Sequence, residues 1–146
     1  MLWFCGLNFT LGPPSVGVES GAKCTDGQNW VCEHRWQSIA NMVAWRNAAG
    51  TSDISNWVDG DTGNQIAFSR GNAAFLAMNR GSYDWNIDNI DTGLPEGTYC
   101  NVLNSGEDAD DADKCSATVF VDSSGKASNV NVPALGAVAL HIAAAK

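Results

Sequence analysis

The sequence predicts a mainly β protein whose second part, residues 64–146, is an antiparallel sandwich. Short runs of β-type residues recur there at a spacing of roughly ten residues, and turn signals rich in Asp, Gly, Asn and Ser separate them. Strands do not alternate with helices, so the parallel sheet of an α/β fold is excluded. The spacing is that of a small sandwich or barrel.

The strands are expected on both sides of clear turn signals. Gln65–Ser69 and Ala74–Met78 flank the hairpin signal Arg70-Gly71-Asn72. Tyr83–Ile90 alternates with a period of two residues, as a half-buried strand does. The later strands are expected at Thr98–Leu103, Ala117–Val121, Ala127–Val132 and Ala137–Ile142.

One helix is predicted, over about residues 31–49. Trp36, Ile39, Ala40 and Val43 follow the i, i+3, i+4, i+7 pattern, and Gly50 provides a stop. Further apolar residues widen this face, so we expect the helix to pack against more protein than this chain supplies. The segment before the helix contains several Pro and Gly and is expected to form a loop. A domain boundary is expected at residues 51–63.

Composition narrows the classes of partner. Eight Lys and Arg against 16 Asp and Glu give a formal charge of −8, which disfavours nucleic acid and anionic membrane surfaces. No apolar run reaches the ~18 residues of a membrane span. Neutral polysaccharide fits better, because six Trp include candidates for stacking on sugar rings, although a Trp in a helix or strand is more often part of the core.

The five cysteines indicate an extracellular protein. Cys24 and Cys32 lie close in sequence, as do Cys100 and Cys115, so local pairing is favoured although spacing leaves all three connectivities open. A zinc site is disfavoured because no C-x2-C occurs. Disulfides persist in oxidising compartments, which predicts secretion. Cys5 has no predicted partner.

The carboxylates and histidines follow no pattern that is typical of a catalytic or metal site. Most Asp residues follow turn patterns, as in Asp122-Ser-Ser-Gly, where they cap the turn and need no catalytic role. The acidic run Glu107–Asp113 lacks the central Gly and closing Glu of a calcium-binding loop. His34 and His141 have no nucleophile motif around them. We therefore expect no catalytic, cofactor-binding or metal-binding residue in this chain.

Several motifs carry a family resemblance. They are Trp30-Val-Cys-Glu-His-Arg-Trp36, Asn41-Met-Val-Ala-Trp-Arg-Asn47, Asn64-Gln-Ile-Ala-Phe-Ser-Arg-Gly71 and Thr92-Gly-Leu-Pro-Glu-Gly-Thr-Tyr-Cys100. From about residue 12 to residue 142 the chain resembles the C-terminal third of the animal-type, chloride-dependent α-amylases. Three features depart from that pattern: the acidic run 107–113, Val58 where an aromatic residue is common, and the start before Leu11.

The resemblance implies a division of the chain. Residues 1–11 are an unrecognised start, residues 12–63 are the end of a catalytic (β/α)8 barrel with its last helix, and residues 64–146 are a Greek-key C-terminal domain. It implies the disulfides Cys24–Cys32 and Cys100–Cys115. It also implies that the catalytic Asp, Glu and Asp, and the calcium and chloride ligands, precede Gly12.

The expected function follows from this resemblance. The chain is expected to be the C-terminal part of a secreted, monomeric α-amylase that hydrolyses internal α-1,4-glucosidic bonds of starch and glycogen with retention, and to be non-catalytic by itself. Its expected partners are the rest of the barrel and the α-glucan. The unusual start suggests a break in the coding sequence. The alternative is a stand-alone starch- or glycogen-binding module, for which Trp36 is the candidate sugar-stacking residue.

Overall fold

A computed structural model describes residues 36–104 and 115–146. The helix α1 (Gln37–Ala49) comes first, and a short 3-10 helix (Ile142–Ala144) follows the last strand. The strands between them are β1 (Ile54–Asp59), β2 (Gln65–Arg70), β3 (Ala74–Asn79), β4 (Trp85–Ile87), β5 (Ile90–Asp91), β6 (Gly97–Cys100), β7 (Thr118–Val121), β8 (Lys126–Ala127), β9 (Val130–Val132) and β10 (Gly136–His141).

The strands form two main antiparallel sheets and a short ribbon. The first sheet has the order β1-β2-β3-β10, the second has the order β5-β8-β7-β6, and β4 pairs with β9. In the second sheet β5 lies beside β8 and not beside β6, its neighbour in sequence, which is a Greek-key arrangement. The predicted mainly β, antiparallel fold is confirmed.

The first sheet is covered on both faces. One face packs against the second sheet through a core that includes Phe75, Leu140 and Tyr99. The other face packs against α1 through a second cluster that includes Trp45 and Leu76. Residues 74–77 of β3 are therefore buried without interruption, which explains why this strand is apolar throughout and does not alternate.

Two predicted strands are each divided by an asparagine. The segment 83–90 becomes β4 and β5 with Asn89 between them, and the segment 127–132 becomes β8 and β9 with Asn129 between them. Both asparagines have φ of 56°, in the left-handed region that Asn tolerates better than most residues. The amide N–H of Asn129 donates to Oδ1 of Asp88 at 3.0 Å, which joins the two bends. Each segment thereby passes between the β4–β9 ribbon and the second sheet.

Strand β1 was not predicted, because the sequence analysis placed a boundary over residues 51–63. β1 pairs antiparallel with β2, and the register shifts between Ser55 and Val58. Asn56 lies in this irregularity with φ of 50°, so the alternation that identifies a strand is broken there. The division at residue 64 stays a prediction, although β1 belongs to the same sheet as β2.

Only part of the predicted apolar face of α1 packs against the sheet. Asn41, Trp45 and Ala49 are buried, whereas Ile39 and Val43 of the predicted face are exposed. Asn41 is buried because its side-chain amide donates to the carbonyl of Val102 at 2.7 Å, and Trp45 Nε1 donates to the carbonyl of Phe75 at 3.0 Å. Of the predicted helix, Trp36 precedes the first turn, and residues 31–35 lie outside the described part of the chain.

The motif at residues 92–100 has a structural role. Thr92 Oγ1 donates to the carbonyl of Gly125 and accepts from the amide of Leu94. The side chain of Leu94 is buried. The hydroxyl of Tyr99 donates to the carbonyl of Pro95 at 2.9 Å, and burial raises the pKa of that hydroxyl. Gly93 has φ of 66°, and a Cβ at this position would lie 2.5 Å from the carbonyl oxygen of Gly71.

Gly93→Ala is expected to lower the free energy of unfolding by about 2–4 kcal/mol, because it combines an unfavourable φ with a backbone clash. Gly63 is a matched control, since it also has φ of 66° but has nothing within 4 Å of an added Cβ. Gly63→Ala should lower the free energy of unfolding by only about 1 kcal/mol. Urea unfolding measures both; equal losses would show that the contact with Gly71 contributes nothing.

Candidate docking surface

The disulfide predicted between Cys100 and Cys115 is present. Their Cα atoms are 5.7 Å apart, and the bond spans the connection between β6 and β7. Cys100 is buried in the core cluster beneath α1, so the bond also anchors that cluster. Cys24, Cys32 and Cys5 lie outside the described residues, and the pairing of Cys24 with Cys32 stays a prediction.

Several carboxylates in the described segments cap turns. Asp84 Oδ1 accepts from the amide of Ala134 at 2.9 Å, and its Oδ2 accepts from the side chain of Asn131 at 3.2 Å. Asp122 Oδ1 accepts from the amides of Ser124 and Lys126. Hydrogen bonds from Ala134 lower the pKa of Asp84, and those from Ser124 lower the pKa of Asp122. Both groups fix loops; the turn pattern predicted this for Asp122, whereas Asp84 was expected in a strand.

The two histidines and the acidic run were the other candidates for a catalytic or metal site. His141 is buried in β10, as a core residue of the first sheet. His34 and the acidic run 107–113 lie outside the described residues. Among residues 36–104 and 115–146, His, Cys, Asp and Glu form no group of three that could hold a metal ion. Within the same ranges, no helix is long and apolar enough to cross a membrane.

The outward side of α1 exposes apolar side chains. Val43 is 56% exposed and Ile39 is 40% exposed, and Trp36, just before the helix, is 52% exposed. Side chains three or four residues apart share one side of a helix, so Ile39 and Val43 form a continuous strip. This strip faces away from Asn41 and Trp45, which hold the helix to the sheet. It cannot be part of the core of the described structure.

A second apolar area lies beside the helix, on the same face of the first sheet. Phe68 of β2 stacks against Trp57 of β1, with ring centroids 5.6 Å apart and an angle of 15° between the planes. Its other side meets Trp45 edge-on, at 6.4 Å and 85°. Trp57 is 50% exposed, so this row of aromatic rings runs from the core to the surface. We call Ile39, Val43 and Trp57 the docking surface.

Sequence reasoning found only part of this surface. It identified Ile39 and Val43 as part of an apolar face that packs against more protein than this chain supplies, but it did not separate them from the residues that contact the sheet. It missed Trp57, because the irregularity at Asn56 hides β1. The position of Phe68 in a predicted strand was the available signal, since a large aromatic residue on the face of a sheet needs a cover. Trp36, the predicted sugar-stacking residue, is exposed and sits one residue before α1.

Comparisons with known proteins match this chain to one family. A family model described as the alpha amylase C-terminal all-beta domain matches residues 57–143. Pancreatic alpha-amylase 2a5 of Mus musculus is 44% identical over 126 residues, which are 82% of this chain and 24% of that protein. Alpha-amylase of Dermatophagoides pteronyssinus is 42% identical over 130 residues, which are 83% of this chain and 25% of that protein.

Solved structures agree with the sequence relatives. The crystal structure of an alpha-amylase I variant from Eisenia fetida in complex with maltohexaose superposes with a TM-score of 0.72 at 34% sequence identity. The match covers 90% of this chain and 27% of that protein. The chain thus spans about a quarter of the length of the relatives that it matches.

Acid is expected to loosen the loops that Asp84 and Asp122 cap. Because folding lowers the pKa of both carboxyls, their contribution to stability is complete above the unfolded value near 3.8 and is lost as pH falls through the lower folded values. Urea midpoints measured from pH 6 to pH 2.5 should fall below about pH 4. The Asp84→Asn/Asp122→Asn variant should show a flatter decline, and an unchanged slope would contradict this assignment.

Proposed function

The chain belongs to the α-amylase family, in which it matches the C-terminal all-beta domain, and from this premise we propose that it is the C-terminal part of a secreted α-amylase. In this proposal the chain packs against the catalytic barrel and has no catalytic role of its own. The whole protein hydrolyses internal α-1,4-glucosidic bonds of starch and glycogen with retention, and its catalytic residues and its calcium and chloride ligands lie in the barrel.

The docking surface is the main support for the proposal that this chain packs against a barrel. Val43 and Ile39 expose apolar side chains on a helix that is already fixed to the sheet by its opposite face. Leaving apolar area in water forgoes about 25 cal/mol per Å², and a contiguous exposed patch of this kind marks an interaction site. A barrel that continues from the helix would cover this strip, and Trp57 beside it would extend the contact onto the sheet.

A structural role agrees with the polar groups of the described residues. Asp84 and Asp122 accept hydrogen bonds from backbone amides, and Asn101 accepts from the amide of Ala139 at 3.0 Å. Hydrolysis of a glycosidic bond by the usual mechanism needs two carboxyl groups that face a common substrate. Side chains that are engaged in holding loops together are poorly suited to that task, so catalysis is assigned to the barrel.

Secretion is supported by the Cys100–Cys115 disulfide. Disulfides of this structural type persist in oxidising compartments and are rare in the cytosol. The similarity of this chain to animal alpha-amylases also supports the proposal that it is secreted.

A second candidate function is binding of starch or glycogen through Trp36. Its side chain is 52% exposed, which leaves ring surface for a sugar to stack on. This function is compatible with attachment to a barrel, and it also describes a chain that acts as a separate binding module.

Val43→Glu should weaken docking. In a chimaera in which this chain replaces the matching region of the Mus musculus enzyme, the variant buries an unpaired carboxylate at the barrel contact and should lower Tm by about 5–10 °C. In the chain alone, where Val43 is exposed, unfolding free energy should change by less than about 0.5 kcal/mol. Calorimetry of both proteins measures the difference.

Ser38→Glu is the matched control, because Ser38 is also exposed and lies about 140° around the helix from Val43. It should leave the Tm of the chimaera nearly unchanged. Equal effects of the two substitutions would reject the docking surface.

The chimaera should hydrolyse starch, and the 146-residue chain alone should not; carboxylate-dependent hydrolysis by the chain alone would contradict its non-catalytic role.

The Trp36 function is tested by electrophoresis of the chain in native gels that contain starch or glycogen. If Trp36 stacks on sugar rings, these gels retard the chain, and Trp36→Ala removes most of the retardation. Trp57→Ala serves as a control for loss of an exposed indole. No retardation by starch or glycogen would reject this candidate and leave the docking role as the function of the domain.

A further inference from the structure

The two most exposed large apolar side chains of the described residues lie at one end of the sandwich. Tyr83 is 85% exposed, in the connection between β3 and β4, and Leu135 is 79% exposed, in the connection between β9 and β10. Neither belongs to the docking surface defined above. A single exposed apolar residue needs no explanation, but these two are carried by loops that are hydrogen-bonded to each other, since the amide of Leu135 donates to the carbonyl of Gly81.

Both loops are held rigidly by one buried side chain. The amide of Asn79, which is 3% exposed, donates to the carbonyls of Tyr83 at 2.8 Å and of Pro133 at 3.2 Å. The backbone amide of Leu135 donates to the carbonyl of Gly81 at 3.1 Å, which joins the loops directly. Tyr83 and Leu135 are therefore presented to solvent on fixed backbones, so little conformational entropy is lost when a ligand binds.

The conformation of Leu135 is costly for the fold. It has φ of 54° in the turn that the amide of Gly136 closes on the carbonyl of Pro133. Gly or Asn is the usual residue at such a position, and a leucine there is both strained and exposed. Folding alone gives no reason for this side chain, which points to a contact with something outside the described structure.

A groove and a balanced set of charges adjoin this patch. The groove is open to solvent and has a volume of about 450 Å³; its lining residues include Met78, Leu135 and Ala137. Arg80 also lines it, with its guanidinium held by Oδ1 of Asn64 at 2.9 Å. The carboxylate of Asp84 follows Tyr83 directly. One fixed cation and one fixed anion favour a neutral ligand that has apolar faces and hydroxyl groups.

We propose that Tyr83 and Leu135 form a glucan-binding platform, with Tyr83 stacking on a sugar ring and Arg80 donating to sugar hydroxyls. The inference rests on the proposed function, which supplies an α-1,4-glucan as the ligand at hand. A sugar ring offers C–H groups on its faces and hydroxyls at its edge, which matches an exposed aromatic ring beside a polar rim. The platform is separate from Trp36 and from the docking surface.

Native electrophoresis of the 146-residue chain in gels with a series of amylose concentrations tests the platform. Tyr83→Ala should raise the dissociation constant for amylose about tenfold, and Tyr83→Phe should leave it nearly unchanged because the ring is kept. Leu135→Gly should also weaken binding while raising the urea midpoint, since glycine relieves the unfavourable φ. Phe120→Ala is the matched control: Phe120 is 58% exposed on β7 and should not affect binding.

Two results would overturn the platform. One is the absence of retardation of the unmodified chain by amylose. The other is an equal dissociation constant for amylose in the Tyr83→Ala and Phe120→Ala variants. Loss of binding in the Trp36→Ala variant alone would be one form of this second result. The docking role is judged separately, from the chimaera, because Tyr83→Ala should leave its Tm unchanged. Failure of the platform and failure of the proposed function are thus distinguishable.

Discussion

Burial of the first sheet on both faces is the constraint on which the rest of the structure depends. β3 contributes Phe75 to the core against the second sheet and Leu76 to the cluster beneath α1. Removing either cover would expose large apolar side chains, so the sandwich and the helix stabilise each other. The hydrogen bond from Trp45 to the carbonyl of Phe75 fixes the helix to the strand that both layers share.

This arrangement gives the helix two different sides. Asn41 and Trp45 reach polar partners on the sandwich, and they fix the rotation of the helix about its axis. Once that rotation is set, Val43 must point outward. A helix that exposes large apolar side chains opposite its buried side is suited to lie between two bodies of protein, and only one of them is present among the described residues. The docking surface is therefore a consequence of how the helix is anchored.

Polar residues serve mainly to shape the chain around this layered core. Asn89 and Asn129 bend two strands between the ribbon and the second sheet, and Asp84 and Asp122 hold loops through backbone amides. The Thr92–Cys100 motif packs a turn against its neighbours so closely that a glycine is required at position 93. The Thr92–Cys100 motif, one of those that carry the family resemblance, thus encodes the sandwich, and the chemistry of the family is proposed to lie in the barrel.

The fold class and most strands could be predicted from the sequence, because hydrophobic alternation and turn residues are local signals. Local pairing of Cys100 with Cys115 was favoured, but spacing left all three connectivities open. The sequence could not show which side of α1 is buried, since Ile39 and Val43 are as apolar as the side that carries Trp45. Tertiary structure decided this through the hydrogen bond of Asn41 to Val102, which lies 61 residues away. It also decided β1, Trp57 and the Tyr83–Leu135 patch, because each depends on backbone bends and long-range contacts that have no local pattern.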